Sequence, residues 1–163
     1  MNIILVGMPG CGKSTVGVLL AKSMLMDFVD TDLIIQGKFG KALCEIIEEY
    51  GNAYFINAEN QILSGLTYEN TVIATGGSAV YGFDAMKNLK ENAVTVYLKL
   101  SPALLADRIK NIKTRGIAME RDCSLEELYI ERAPLYEKYA DITVDCTNLS
   151  VEDCVNDIIK RLK

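Results

Sequence analysis

Five short apolar runs punctuate the chain, at Ile3–Val6, Phe28–Val29, Thr71–Ala74, Val94–Leu98 and Ile142–Val144. They are rich in β-branched and aromatic residues, so they read as buried strands, and the stretches between them read as helices. Regular alternation of this kind predicts an α/β protein built on a parallel sheet. Val16, Leu19, Leu20, Ser23 and Met24 share one helical face, which places the start of the first helix within Gly12–Thr15 and its buried side on the sheet. Ser101 precedes Pro102, and Ser124 is followed three residues on by Glu127; the first pair marks a capped helix start and the second a capping box. A last helix is expected from about Ser150, with Cys154, Val155, Ile158, Ile159 and Leu162 on one face. It ends in Lys160, Arg161 and Lys163, basic residues that suit the negative pole of the helix dipole.

Two stretches break the alternation. Residues 37–66 read as successive helices interrupted near Gly40 and Gly51, part of an insertion beside the sheet spanning about residues 33–66. Residues 110–123 are polar and without periodicity, the pattern of a lid. No internal repeat, low-complexity tract or linker divides the 163 residues, so a single domain over residues 1–163 is expected.

Composition narrows the chemistry. The formal net charge is −5, whereas a sequence-independent grip on nucleic acid needs a dense basic face. Five cysteines occur without a C-x-x-C pair, and there is no histidine. Scattered cysteines without histidine argue against a zinc site, the lack of histidine excludes a histidine general base and a Ser-His pair, and the cysteines other than Cys11 read as small buried hydrophobes of a reducing compartment. Met1 leads into Asn2–Val6 with no basic leader and no long apolar stretch behind it. The expectation is a cytoplasmic protein with no membrane and no nucleic-acid partner.

Between the first strand and the first helix, Gly7-Met8-Pro9-Gly10-Cys11-Gly12-Lys13-Ser14 fits G-x-x-x-x-G-K-[ST] at every fixed position. The glycines let successive N–H groups curl around one anion, and the helix N-terminus adds its partial positive charge. Gly10, Cys11, Gly12, Lys13, Ser14 and Thr15 are therefore the candidate nucleotide-binding residues. Lys13 reaches the β- and γ-phosphates, Ser14 is a candidate Mg²⁺ ligand, Cys11 occupies a variable position and Thr15 is structural. After the second strand, Asp30-Thr31-Asp32 places two acids at the carboxyl edge, where open α/β sheets bind ligands. One acid can hold Mg²⁺ while the other accepts a proton from an attacking hydroxyl; capping of the following helix is compatible with both roles. The segment Ala74-Thr75-Gly76-Gly77-Ser78 carries no metal-binding aspartate after the third strand, which makes Asp30 the best candidate for the metal and Asp32 for the acceptor hydroxyl.

With these pieces in place, the chain resembles the shikimate kinase family over nearly its full length. The family's phosphate loop matches Gly7–Ser14, its D-x-D matches Asp30 and Asp32, its A-T-G-G-G matches Ala74–Ser78 except at the last position, and its E-R-x-P-L-Y matches Glu131–Tyr136. The resemblance implies a three-layer α/β/α P-loop kinase fold with a five-stranded parallel sheet in the order 2-3-1-4-5 and a lid. It also implies ATP and Mg²⁺ as cofactors, phosphorylation of the 3-hydroxyl of shikimate, and a monomer. In site terms it implies that Asp32 binds the acceptor hydroxyl, that Gly76 and Gly77 offer backbone amides, and that Arg132 pairs with the acceptor's carboxylate. Arg108 would stack near adenine and Arg115 would be the lid's catalytic arginine, with Arg121 a second cation in the same stretch.

Three departures fall on the acceptor side. The family's F-R-x-x-E appears as Phe55-Ile56-Asn57-Ala58-Glu59, Ser78 replaces a third glycine, and the lid reads Arg115-Gly116-Ile117-Ala118 where the family has R-P-L-L. A hydrocarbon at position 56 cannot replace a bidentate guanidinium, so a different hydroxylated acceptor, such as a sugar acid, stays open. A non-catalytic ATP-binding module stays open too. A nucleoside-monophosphate acceptor is disfavoured because no arginine precedes Arg108, and no N-K-x-D segment supports guanine recognition.

Overall fold

The computed structural model describes residues 1–109, 116–119 and 122–163. Its strands are β1 (Asn2–Val6), β2 (Asp27–Asp30), β3 (Thr71–Ala74), β4 (Ala93–Lys99) and β5 (Ile142–Asp145). They form one parallel sheet in the order β2-β3-β1-β4-β5. The helices are α1 (Lys13–Met24), α2 (Thr31–Phe39), α3 (Leu43–Tyr50), α4 (Asn52–Ser64), α5 (Phe83–Lys90), α6 (Pro102–Arg108), α7 (Leu125–Tyr139) and α8 (Val151–Leu162), with a 3₁₀ turn at Ala79–Tyr81.

The strand pattern follows burial. Every residue of β1 and β3 is buried, as a central parallel strand requires, whereas β2 and β5 are edges with partly exposed residues. Gly17 lets α1 lie close on the sheet, since a Cβ there would stand 2.6 Å from the ring of Phe28. The expected caps form: Ser101 Oγ accepts from Leu104 N, and Ser124 and Glu127 make a reciprocal capping box. The interruptions near Gly40 and Gly51 are real helix ends, both with positive φ, and α2, α3 and α4 follow one another as a helical insertion between β2 and β3.

Strand order reverses at β1, which lies between β3 and β4. That switch opens a crevice at the carboxyl ends of β1 and β3. Thr75, just past β3, closes the floor of the crevice: its N–H and its hydroxyl both donate to Leu5 O, at 3.2 and 2.8 Å. Among the described residues no helix is long and apolar enough to cross a membrane.

Candidate active site

The crevice holds a cavity of about 540 Å³ lined by the phosphate loop, Asp32, Gly76–Ser78, Arg108 and Arg132, with Leu43, Phe55, Ile117 and Ala118 as an apolar wall. The loop is built as its glycines require. Gly10 and Gly12 have φ of 81° and 99°, a region that costs glycine nothing, and α1 starts directly after Gly12. Lys13 is 8 % exposed and folds back over the loop, with Nζ donating to Gly7 O at 2.7 Å and Met8 O at 2.9 Å. Cys11 is buried and its Sγ lies 3.7 Å from Lys13 Nζ. Thr15 is exposed at the cavity rim.

Ser14 Oγ donates to Asp30 Oδ2 at 2.7 Å, and Asp30 Oδ1 accepts from Asp32 N at 3.0 Å. Asp30 therefore caps α2 and faces the phosphate-loop hydroxyl at the same time. A hydroxyl and a carboxylate side by side are hard oxygen donors that fit Mg²⁺, which takes few protein ligands and completes its shell with water and phosphate oxygens. Accordingly, no cluster of three or more metal-binding side chains occurs among the described residues. Asp32 lies half-buried at the first turn of α2. Burial pushes its carboxyl up to about 6; the charge of Asp30 adds to the rise and Lys13 opposes it.

Across the cavity, Arg132 is 1 % exposed, with Nη2 donating to Ala118 O at 2.6 Å and Nε to Tyr81 Oη at 3.3 Å. Both acceptors are neutral. Gly77 lies under this guanidinium: a Cβ there would be 3.0 Å from Arg132 Nη1 and 2.8 Å from the Pro9 ring. Tyr136 Oη fixes the same residue by donating to Gly77 O at 2.6 Å.

The neighbouring glycine differs from expectation. Gly76 N donates to Thr31 Oγ1 at 3.2 Å, because the hydroxyl at the start of α2 points at the β3 loop, so of the pair only Gly77 N is unengaged among the described residues. Arg108 lines the same cavity beside the phosphate loop, with Nη1 3.8 Å from a Cβ built on Gly12. Ile56 is half-buried and packs on the core, because cavity-facing Phe55 and buried Glu59 lie on one side of α4 and residue 56 is turned away. Arg115 and Arg121 lie outside the described residues. Residues 116–119 pack on α3 and α4, with Gly116 against Leu43 and Cys44 and Met119 O accepting from Asn52 Nδ2 at 2.7 Å.

One residue carried no role in the sequence reading. Glu59, 1 % exposed, lies directly behind the Gly76–Ser78 segment and accepts from Ser78 Oγ at 2.5 Å through Oε1. Its signal is a lone carboxylate in the otherwise apolar buried stripe Phe55, Glu59, Leu63.

The family profile described as shikimate kinase matches residues 9–163. The chain belongs to the shikimate kinase family. It is 34 % identical over 161 residues to a shikimate kinase of Bacillus mycoides (strain KBAB4), covering 99 % of this chain and 98 % of that one. It is 36 % identical over 163 residues to a shikimate kinase of Thermodesulfovibrio yellowstonii (strain ATCC 51303 / DSM 11347 / YP87), covering 98 % and 94 %. The solved shikimate kinase of Acinetobacter baumannii in complex with shikimate superposes with a TM-score of 0.90 at 32 % identity, over 99 % of this chain and 92 % of that one. As a shikimate kinase family member the chain keeps the phosphate loop, the D-x-D pair and Arg132. It differs at Ile56, on the same helix as Glu59, and at Ser78, which donates to Glu59.

Proposed function

We propose that the chain is an ATP- and Mg²⁺-dependent shikimate kinase that moves the γ-phosphoryl group of ATP to the 3-hydroxyl of shikimate. The observation that carries this reading is the buried guanidinium of Arg132, bonded among the described residues only to neutral acceptors, in the same cavity as Asp32 and the phosphate loop. A buried cation with no counter-ion among the described residues calls for an anionic ligand, and the apolar wall of Leu43, Phe55 and Ile117 suits a carbocyclic ring carrying a carboxylate.

In this reading Lys13 leaves its contacts with Gly7 O and Met8 O for the β- and γ-phosphates. Gly77 N and Arg132 orient the acceptor, and Asp32 takes the proton from the attacking hydroxyl, a task suited to a carboxyl near neutrality. Ser14 and Asp30 would hold Mg²⁺, which supplies charge neutralisation between the phosphate oxygens. The helices α2–α4 form the acceptor-binding insertion, and the lid excludes water. Arg115 would meet charge on the transferred group. The fold works as one domain and one chain, within the cytoplasm.

The experiment is coupled ADP release with Mg²⁺-ATP across shikimate, quinate, gluconate and nucleoside monophosphates. Saturable turnover on shikimate, well above the other acceptors, is the expected result. Turnover on gluconate with silence on shikimate would assign a different acceptor to the same machinery.

A further inference from the structure

Glu59 is the one buried carboxylate among the described residues. Its Oε1 is satisfied by Ser78, but its Oε2 is buried with no hydrogen-bond partner. A Cβ built on Gly76 would stand 2.9 Å from Glu59 Oε2 and 2.6 Å from Asp32 Oδ1, so two carboxyl groups converge on the Gly76 backbone. Arg132 flanks the same segment at Gly77. Glu59 itself does not line the cavity; it braces the wall from behind. An ionised Glu59 would bury an unbonded anionic oxygen beside a second carboxylate, and its charge would oppose any anion approaching Arg132.

We propose that Glu59 works as an uncharged carboxylic acid, a positioning residue that supports Gly76–Gly77 through Ser78 and leaves the charge of Arg132 entire for the acceptor's carboxylate. The inference rests on the shikimate reading above. Burial pushes the Glu59 carboxyl up to about 7; the Ser78 hydroxyl opposes the rise, Asp32 of α2 adds to it and Arg132 of α7 opposes it. Along α4 its neighbours one turn away are the apolar Phe55 and Leu63, and on α5 the exposed Asp84 is engaged by Asn60 Nδ2 at 3.4 Å. Ile56 and Ser78 then become one adaptation. With no guanidinium at position 56, the clamp depends on the undiminished charge of Arg132, and Ser78 holds the Glu59 side chain in place behind Gly76–Gly77.

The test is the KM for shikimate at saturating Mg²⁺-ATP, from about pH 6 to about pH 9, for the natural protein and for Glu59→Gln, the neutral isostere. In the natural protein KM should rise roughly tenfold across this range as Glu59 ionises, with the KM for ATP unchanged. Glu59→Gln should hold the low KM of the acid end throughout. A flat KM in the natural protein, or a Glu59→Gln KM raised at the acid end as much as at the alkaline end, overturns the proposal. A second measurement needs no acceptor: the ¹³C signal of the Glu59 carboxyl, identified by its loss in Glu59→Gln, should titrate near neutrality in the free protein. A midpoint below about 5, the range of an ordinary glutamate, overturns the proposal too. Absence of shikimate turnover at every pH would instead refute the substrate reading, and the carboxyl titration would still decide the charge of Glu59.

Discussion

The two halves of the crevice are built from different materials. The phosphate half is one contiguous loop that, in the proposed reading, offers backbone N–H groups and a helix end, with Lys13 folded over it. The acceptor half is assembled from side chains of α2, α4, α7 and the loop after β3, which meet around Gly76 and Gly77. A backbone cradle is indifferent to most substitutions, so the phosphate half keeps its pattern. A side-chain clamp changes with each residue, and Ile56 and Ser78 show that it has changed here.

Substitutions test that contrast in descending order of effect. Lys13→Ala should lower kcat by roughly 10³-fold or more, because Lys13 is the buried cation folded over the phosphate loop; an unchanged circular dichroism spectrum would locate the loss in chemistry. Asp32→Asn should lower kcat by roughly 10²-fold with little change in either KM, as removal of a proton acceptor does. Arg132→Met keeps the buried volume and removes the charge. It should raise the KM for shikimate by roughly 30- to 100-fold while leaving the KM for ATP alone, and an equal change in both would erase the division between the halves. Ile56→Arg should lower the shikimate KM by a few-fold at most, because position 56 lies outside the cavity lining and only a long side chain could reach in for a charge-assisted contact.

The smallest effect on turnover belongs to Glu59→Gln, which should nonetheless be visible in stability. The folded protein holds the Glu59 proton up to about 7 where an unperturbed glutamate releases it at 4.5. Between those values the folded state binds more protons than the unfolded one, so this group's contribution to stability falls as pH rises through the window. At about 1.4 kcal/mol per unit the loss is on the order of 3 kcal/mol. Melting temperatures of Glu59→Gln and the natural protein should thus be similar near pH 5 and diverge in favour of the variant near pH 8.

Legibility in the sequence followed the same division. The strands, the breaks at Gly40 and Gly51, the caps at Ser101 and Ser124 and the start of α1 depend on local patterns, and the structure places them where those patterns do. Asp30 could be read both as a cap and as a partner of Ser14 because both roles follow from its position after β2. The engagement of Gly76 N by Thr31 could not be read, since it joins residues 45 apart in sequence. Glu59 was visible as a letter in a motif but not as a site, because its role arises from a hydroxyl 19 residues away and from burial that no spacing encodes.

A Cβ at Gly77 would stand 2.8 Å from the ring of Pro9 and 3.0 Å from Arg132 Nη1, and Tyr136 holds the Gly77 carbonyl. Any side chain there would strain the nucleotide loop and the acceptor clamp in a single step. The lineage's freedom to try new acceptors is therefore unevenly distributed. Leu43, Phe55 and Ile117 can be exchanged one at a time to remodel the apolar wall, whereas position 77 admits no intermediate along an evolutionary or laboratory path.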